Sequence, residues 1–279
     1  MKEVMKIEKV SFLYSGEEEE VLKEISFDIK KGEILGIIGE NDSGKSTLCK
    51  ILVGLIPHYI TGELSGKITI EGKDLSNLSM GELSRKIGLV FQNPFNQLTY
   101  TTSTVRDELA FGLGNIGMPR DEMLERVNEM AKLMRISDIL DRNPLYLSGG
   151  QVQRVALGSC LIMNPDIVVL DECCSQLDPL GSEEIFRIIN DLKTRGMTLI
   201  IVDHDMERIA RVSDRILVLN KGELVKLDQV KKIFGNQSLR RIIDVPDYTI
   251  MGEFIRQSGK GQEDVIVREE EIIQAINDR

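Results

Sequence analysis

The sequence predicts an α/β fold with a mainly parallel sheet, an N-terminal antiparallel β subdomain, a helical insert and a short C-terminal extension. Three observations support this class. The first third is rich in strand patterns, later apolar runs alternate with a helical pattern, and a glycine-containing loop lies between a strand and a helix. Strands that alternate with helices are typical of a parallel sheet covered on both faces.

Strand candidates are segments rich in β-branched and other apolar residues, bounded by turn residues. In the first third they occupy residues 6–14, 21–29, 33–38 and 67–71. The later candidates are largely apolar and therefore suit a buried sheet. They are residues 87–91, 166–171, 198–203 and 215–219.

Apolar residues at helical spacing indicate two helices between these strand candidates. The first follows the glycine-containing loop at residues 45–55. The second, at residues 182–195, has Ser182 as its predicted N-cap and Gly196 as its predicted stop.

The segment at about residues 93–150 breaks the alternation and predicts a mainly helical insert. Its clearest helix, residues 121–134, follows Pro119 and repeats apolar residues at helical spacing. From about residue 231 to 279 the composition becomes polar, with short helix candidates around residues 238–243, 249–257 and 268–277. A glycine-containing stretch at residues 258–261 separates the last two candidates.

Composition bounds the possible functions. With 279 residues, 42% of them hydrophobic, the chain can form a large domain with its own core. Acidic residues number 45 against 35 basic ones, and a net charge of -10 gives no sign of a nucleic-acid surface, so no nucleic-acid partner is expected. The apolar runs are far shorter than the roughly 18 residues that span a bilayer. The N-terminus has no apolar signal segment, so a cytoplasmic location with reduced cysteines is expected.

Residues 39–46, Gly-Glu-Asn-Asp-Ser-Gly-Lys-Ser, have the pattern of a phosphate-binding loop. Such a loop directs backbone N–H groups at phosphate oxygens, so it needs small residues such as Gly39 and Gly44 where the chain wraps closely. Lys45 would place its charge on the β and γ phosphates, and the Ser46 hydroxyl would bind Mg²⁺.

Asp171 and Glu172 end an apolar strand. Adjacent carboxylates at such a position can perform two separate tasks. Asp171 would hold the Mg²⁺ shell, directly or through water, and Glu172 would polarise the attacking water as a general base. A glutamate at position 172 therefore predicts hydrolysis rather than binding alone.

A third motif, Leu-Ser-Gly-Gly-Gln at residues 147–151, lies between the other two. The three motifs in this order resemble the nucleotide-binding subunit of an ABC transporter over roughly residues 4–230. The resemblance implies an ATPase domain at residues 1–230 that binds ATP and Mg²⁺. Residues 231–279 resemble the short C-terminal extension that helps the ATPases of energy-coupling factor importers pair, which implies dimer contacts. Helices packed on their own core are the alternative.

Further residues match the family pattern. Gln92 matches the glutamine that senses Mg²⁺ and water, and His204 matches the histidine that contacts the γ phosphate. Asp178 belongs to the loop at residues 175–178 that crosses to a partner subunit. Tyr14 matches the aromatic residue on which adenine stacks, although an ordinary strand aromatic remains the alternative.

Ser148, Gly149 and Gly150 offer a hydroxyl and backbone N–H groups at the expected start of a helix. By the resemblance, they contact the γ phosphate held by a second subunit. One chain would then supply two half-sites, and a homodimer or a heterodimer with a paralogous ATPase would supply two whole sites.

The resemblance thus implies three sets of site residues. The catalytic set is Glu172, His204 and Gln92, and the Mg²⁺ set is Ser46, Gln92 and Asp171. The nucleotide contacts are Tyr14, Gly39, Glu40, Asn41, Asp42, Ser43, Gly44, Lys45, Ser46, Thr47, Ser148, Gly149, Gly150, Gln151 and Asp178.

The sequence departs from the common family pattern at Asp42, Cys173 and Cys174. Asp42 stands where glycine is usual, and its side chain tolerates a left-handed backbone better than most. Cys173 and Cys174 replace the usual proline and threonine after the catalytic glutamate. A redox or metal role for these thiols is the alternative to a structural one, which is expected because no second pair and few histidines accompany them.

Residues 91–98 and 104–112 resemble the energy-coupling factor (ECF) subfamily of ABC importers, which take up vitamins or transition-metal ions. The resemblance implies integral membrane transport subunits as partners and a peripheral position on the cytoplasmic face of the cell membrane. Another class of ABC importer, or a soluble ABC ATPase without a transport role, remains the alternative.

Overall fold

The computed structural model describes residues 2–257 and 265–277, apart from the side chain of residue 275. Ten strands lie within these ranges: β1 Glu3–Tyr14, β2 Leu22–Lys30, β3 Ile34–Ile38, β4 Gly62–Ile70, β5 Lys73–Asp74, β6 Ile87–Val90, β7 Ile167–Asp171, β8 Thr198–Val202, β9 Arg215–Asn220 and β10 Glu223–Gln229. The predicted glycine-containing stretch at residues 258–261 lies outside the described residues.

Eleven α-helices accompany the strands in the same ranges: α1 Lys45–Leu52, α2 Leu55–His58, α3 Met80–Lys86, α4 Val105–Asn115, α5 Arg120–Leu133, α6 Gly149–Leu161, α7 Pro179–Thr194, α8 Met206–Val212, α9 Val230–Phe234, α10 Asp247–Gln257 and α11 Glu269–Asn277. Short 3₁₀ helices include Pro94–Asn96, Pro144–Tyr146 and Gln237–Arg241.

The strands form two sheets. A four-stranded antiparallel sheet has the order β2-β1-β4-β5, and a six-stranded sheet has the order β10-β9-β3-β8-β7-β6. In the larger sheet β3 pairs with β9 and β6 pairs with β7 in parallel, while β10 pairs with β9 antiparallel. The predicted α/β fold class is confirmed.

The chain divides into two compact units, which are described separately. The first unit comprises Met1–Asn77 and Ile200–Arg279, and the second comprises Leu78–Leu199. The division at residue 230 that the resemblance implies stays a prediction.

The first unit is organised around buried apolar strands. All five residues of β3 are buried, as expected for a strand covered on both faces. At the edge of this core Arg215 forms a two-pronged pair with the Glu33 carboxylate, at 2.9 Å from Nε and 2.8 Å from an η nitrogen. Arg215 also donates to the Asp28 backbone carbonyl at 2.7 Å. Because Asp28 belongs to β2 and Arg215 begins β9, the guanidinium ties the two sheets of this unit together.

The second unit packs helices α4, α5 and α7 against α6. Close approach is possible because Gly158 of α6 has no side chain. A Cβ there would lie 3.1 Å from both Leu109 of α4 and Met134. Within residues 93–148 the structure contains α4, α5 and short 3₁₀ helices, without a strand.

Local structure differs from the sequence predictions at several positions, and three of these differences have a clear physical cause. Helix α7 begins at Pro179 and its N-cap is Asp178, whose carboxylate accepts from the Gly181 N–H at 2.7 Å. The predicted N-cap Ser182 is wrong, because Asp followed by Pro is a stronger start signal and Ser182 is buried in the first turn. Helix α1 ends at Leu52, three residues early, since Gly54 has a left-handed φ of 79°. Strand β10 was not predicted, because its sequence is mostly polar and exposed.

No α-helix within residues 2–257 and 265–277 is both long and apolar enough to cross a membrane.

We expect Arg215→Met to lower the free energy of unfolding by about 3 kcal/mol, because it leaves the Glu33 carboxylate, 2% exposed, without its ion-pair partner. Urea unfolding followed by circular dichroism would measure the change. Lys6→Met is the control, since the Lys6 and Glu8 side chains are both exposed and that pair should contribute little. Equal destabilisation by the two variants would contradict the assigned role of Arg215.

Candidate nucleotide-binding site

The first unit holds the predicted phosphate loop between β3 and α1. Gly39 approaches β9 so closely that an added Cβ would lie 2.1 Å from the Leu219 carbonyl oxygen. At Gly44, with φ 101°, an added Cβ would lie 2.7 Å from the Leu22 side chain. Both positions therefore require glycine, for tight wrapping as the sequence indicated.

The turn between β9 and β10 supports this loop. The Gly222 N–H donates to the Ser43 carbonyl at 3.2 Å, and the Gly222 carbonyl accepts from the Lys23 N–H of β2 at 2.8 Å. Gly222 has φ 80°, and a Cβ there would lie 2.5 Å from the Val21 carbonyl. Strand β10, which was not predicted, therefore matters for the site, because the turn that precedes it connects the phosphate loop to β2.

The polar groups of the loop fit an anionic ligand. The Lys45 ammonium is buried and donates to the Gly39 and Glu40 carbonyls at 2.9 and 2.7 Å. The Ser43 hydroxyl is buried without a hydrogen-bond partner among the described residues. A buried, unsatisfied hydroxyl is costly unless something binds it, so it marks the inner wall of the loop as a place for a polar ligand.

Asp42 has the left-handed φ, 61°, that its residue type allows. Its side chain is exposed, as are those of Glu40 and Asn41. The substitution of glycine by aspartate therefore leaves the loop shape intact.

Tyr14 lies at the end of β1 in the same unit. Its hydroxyl is 3.0 Å from Oγ1 of Thr47 in α1, and its ring packs edge-to-face on Phe12 with centroids 4.7 Å apart. These contacts fix the ring beside the helix that begins in the phosphate loop.

His204 follows β8 and is exposed. It lines a cavity of about 340 Å³ together with residues 39–41, Met206 and residues 240–244. Burial raises the pKa of the preceding Asp203, although its carboxylate accepts from the Asp205 N–H at 2.9 Å, which opposes the rise. The C-terminal segment at residues 240–244 was not predicted to border this site, and no sequence motif marks it.

The second unit holds the carboxylate pair at the end of β7. Nε2 of Gln92 donates to Oε2 of Glu172 at 2.7 Å, across 80 residues of sequence. Glu172 has a left-handed φ of 49°, a conformation that is strained for a glutamate and is often found at functional sites. Two residues predicted separately as catalytic are therefore in direct contact.

Cys173 and Cys174 are buried, at 4% and 3% exposure, and their sulfur atoms are 3.9 Å apart. Neither takes part in a disulfide. Within the described residues no cluster of three or more His, Cys, Asp or Glu side chains could hold a metal ion.

The Leu-Ser-Gly-Gly-Gln motif of the second unit begins α6. Ser148 is the N-cap and forms a capping box with Gln151: the Gln151 N–H donates to the Ser148 hydroxyl at 3.4 Å, and the Ser148 N–H donates to the Gln151 side chain at 3.0 Å. The side chain of Ser148 is exposed, as is Gly149. The helix N-terminus is thereby available to an external anion.

A cavity of about 370 Å³ adjoins this motif and is lined by residues 148–151 and 176–178, with Arg154, Leu180, Gly181 and Glu184. Arg154 of α6 pairs with Glu184 of α7 at 2.7 Å. Asp178, the predicted crossing residue, is exposed beside it. The second unit therefore brings the signature motif and Asp178 to one cavity.

Comparison with known proteins identifies the family. The family model described as ABC transporter matches residues 22–175, more than half of the chain. The chain belongs to the ABC transporter family. The match includes the phosphate loop, the signature motif and the carboxylate pair.

Several curated relatives align over nearly the full length. An ABC transporter ATP-binding protein of Pyrococcus horikoshii is 43% identical over 96% of this chain and 94% of its own. The energy-coupling factor transporter ATP-binding protein EcfA1 of Bacillus subtilis is 40% identical over 98% of this chain and 96% of its own. The corresponding protein of Lactococcus lactis strain IL1403 is 38% identical over 100% of this chain and 99% of its own.

Among solved structures, the chain is similar to cbiO1 from Clostridium perfringens, described as part of the ABC transporter complex cbiONQ. The TM-score is 0.76 with 32% identity, and the alignment covers 86% of this chain and 94% of that one.

We expect Gly39→Ala to weaken nucleotide binding by about tenfold or more, because the loop must shift to relieve the contact with Leu219. A fluorescent ATP analogue titrated onto the purified subunit would measure this. Gly114→Ala is the control, since a Cβ there meets no atom within 4 Å. Unchanged affinity in Gly39→Ala would show that the loop tolerates the shift.

Proposed function

We propose that this chain is the ATP-hydrolysing subunit that energises an ECF-type importer. The observation that carries this proposal is that the complete set of ATPase side chains occurs in a chain 40% identical, almost end to end, to an energy-coupling factor transporter ATP-binding protein. ATP hydrolysis is coupled to transport. The subfamily resemblance implies a vitamin or a transition-metal ion as cargo.

The phosphate loop binds the triphosphate mainly through its backbone. Its N–H groups and the N-terminus of α1 supply donors, and Lys45 adds a buried positive charge near the β and γ phosphates. Tyr14 offers an aromatic face for adenine. This division of labour accounts for nucleotide binding by the first unit.

The residues assigned to Mg²⁺ fit that ion by their chemistry. Ser46, Asp171 and Gln92 offer oxygen ligands, and Mg²⁺ is commonly held by one or two carboxylates together with substrate phosphates. Bound there, Mg²⁺ would neutralise charge on the β and γ phosphates during phosphoryl transfer.

Glu172 is the general base of the proposed mechanism. It takes the proton of the attacking water, and Gln92, hydrogen-bonded to it at 2.7 Å, holds the carboxylate in place. His204 contacts the γ phosphate. The Gln92 contact lies within one unit, so the base is oriented before the nucleotide binds.

Pairing of two ATPases completes each site. Ser148, Gly149 and Gly150 at the exposed start of α6 bind the γ phosphate of a nucleotide held by the partner, and Asp178 contacts the partner across the interface. ATP favours the closed pair through these contacts, and hydrolysis removes the preference. The partner is a second copy or a paralogue.

The C-terminal extension supports the pair. Helices α10 and α11 contact each other and carry exposed apolar side chains, namely Ile250, Met251, Phe254, Ile273 and Ile276. Exposed apolar side chains at this density are typical of an interaction surface.

Membrane subunits are the second class of partner. The helical segment of the second unit also carries exposed apolar side chains, among them Phe95, Phe111 and Tyr146. We place the chain on the cytoplasmic face of the membrane, bound to multi-helix transport subunits that recognise the cargo.

Purification with native membranes should therefore recover transmembrane subunits. The complex should release phosphate steadily, and Glu172→Gln should abolish release while ATP binding persists, because it removes the base and leaves the phosphate loop untouched. Glu125→Gln, at an exposed site on α5, is the charge-matched control. A stable absence of any membrane subunit would favour a soluble ABC ATPase, and turnover in Glu172→Gln would overturn the assigned base.

We expect Ser148→Ala to impair ATP-driven pairing more than ATP binding by the isolated subunit, because the hydroxyl acts on the partner's nucleotide. Light scattering of the Glu172→Gln protein, with and without the second substitution, measures pairing. Ser79→Ala is a closely matched control, since Ser79 forms the same capping box with Glu82 at the start of α3. Equal loss of pairing in both variants would mean that only helix capping is affected.

A further inference from the structure

The loop after β6 contains Gln92 and is closed by Gln97. The Gln97 side chain donates to the Leu89 carbonyl at 3.0 Å and accepts from the Phe91 N–H at 3.2 Å. One amide therefore ties the last turn of the loop to the end of the strand. Gln92 lies inside the closed segment, and its own side chain is exposed.

A buried carboxylate holds the next segment. Glu108 of α4 is 3% exposed and accepts three hydrogen bonds: from the Thr99 N–H at 2.6 Å, the Thr99 hydroxyl at 2.9 Å and the Thr102 hydroxyl at 2.7 Å. Hydrogen bonds to a carboxylate are stronger than neutral ones. Residues 99–102 are thus clasped to α4.

The clasped segment stores strain. Tyr100, between the two threonines, has a left-handed φ of 54°, and its buried hydroxyl has no hydrogen-bond partner among the described residues. Such a residue persists only where its surroundings determine the conformation, and strain of this kind concentrates near functional sites. The clasp, meaning the three hydrogen bonds of Glu108 to Thr99 and Thr102, is the contact that fixes the backbone conformation of Tyr100.

We infer that Gln97 and Glu108 are positioning residues for ATP hydrolysis: they fix the loop that carries Gln92 and so hold Gln92 on Glu172. This inference rests on the proposed function. Neither residue touches the nucleotide in this assignment. Because Gln92 is an exposed side chain that reaches Glu172 at 2.7 Å, its backbone must be anchored elsewhere, and these two residues supply the anchors.

Helix α4 is connected to the catalytic base through Glu108 and the loop that carries Gln92. The 3₁₀ turn Pro94–Asn96 within the closed loop packs on α6, and α4 packs on α6 as well. A displacement of α4 would therefore pull on Thr99 and Thr102 through Glu108, and reach Gln92 through the loop. The ATPase rate would then depend on the position of the helical segment.

Two near-isosteric substitutions test this. Glu108→Gln presents an N–H₂ group to at least one of the three donors, and Gln97→Glu cannot donate to the Leu89 carbonyl. Each should lower the kcat of the purified complex by about tenfold or more, since misplacement of a catalytic group by about 1 Å can cost a hundredfold. The KM for ATP should change much less than kcat, because the phosphate loop is untouched and Ser46 and Asp171 remain as the other assigned Mg²⁺ ligands.

Matched controls are Glu125→Gln and Asn190→Asp, which make the same chemical changes at exposed positions of the second unit and should leave kcat unchanged. A general loss of fold would lower kcat and ATP affinity together. In the Glu172→Gln background, neither test substitution should weaken ATP-driven pairing as Ser148→Ala does, because both leave the signature motif untouched.

Hydrogen exchange provides a readout that needs no turnover. Peptides covering residues 89–104 should exchange faster in both test variants and remain as in wild type in both controls. Unchanged kcat in both variants, equal losses of kcat and ATP affinity, or unchanged exchange would each overturn the inference. Absence of ATPase activity in the wild type would instead count against the proposed function, while the exchange measurement would still decide whether the clasp exists.

Discussion

Nucleotide binding by this chain depends on one constraint: the backbone of the phosphate loop must approach neighbouring backbone more closely than any side chain permits. Gly39 lies against the carbonyl of Leu219, and Gly44 lies against β2. The turn at Gly222 then closes the gap between the loop and β2 through two hydrogen bonds. The strands of the first unit can therefore be regarded as a frame that fixes the main-chain donors of residues 39–46. Fixed donors need no reorganisation when phosphate arrives, which is the source of their effectiveness.

Prediction from sequence succeeded where the determining interactions are local. The loop between β3 and α1, the strand before Glu172 and the start of α6 depend on residues within a few positions of each other, and motif spacing captures them. The predicted N-cap of α7, Ser182, was wrong because Asp178 lies one turn earlier and is followed by Pro179, which favours the first helical position. Strand β10 could not be predicted, since its pairing with β9 and its turn against the phosphate loop impose a strand on polar residues.

Contacts between residues far apart in the chain could not be predicted from the sequence, for a different reason. The hydrogen bond between Gln92 and Glu172 joins residues 80 positions apart, and only the adjacency of β6 and β7 brings them together. The strand-end position of Glu172 and the family resemblance at Gln92 assigned each residue a role, but they could not show that the two side chains touch. The same holds for Glu108, which reads as one more charge on an amphipathic helix until the two threonines are seen to bond to it. Residues for the catalytic set could thus be proposed from the sequence, whereas the residues that hold them in place could not.

Electrostatics explains why phosphate binding by this loop would depend mainly on backbone N–H groups. The protein carries a net charge of -10, and its phosphate loop includes the acidic side chains of Glu40 and Asp42. A long-range field of this sign would oppose binding of a polyphosphate, but salt at physiological strength screens exposed charges beyond about 8 Å. Glu40 and Asp42 are exposed to water, whose high dielectric constant weakens their repulsion, whereas the buried Lys45 and the loop N–H groups would act on phosphate at hydrogen-bond distance. Under the proposed function, affinity would then depend mainly on these donors, and an acidic protein could bind an anion through them.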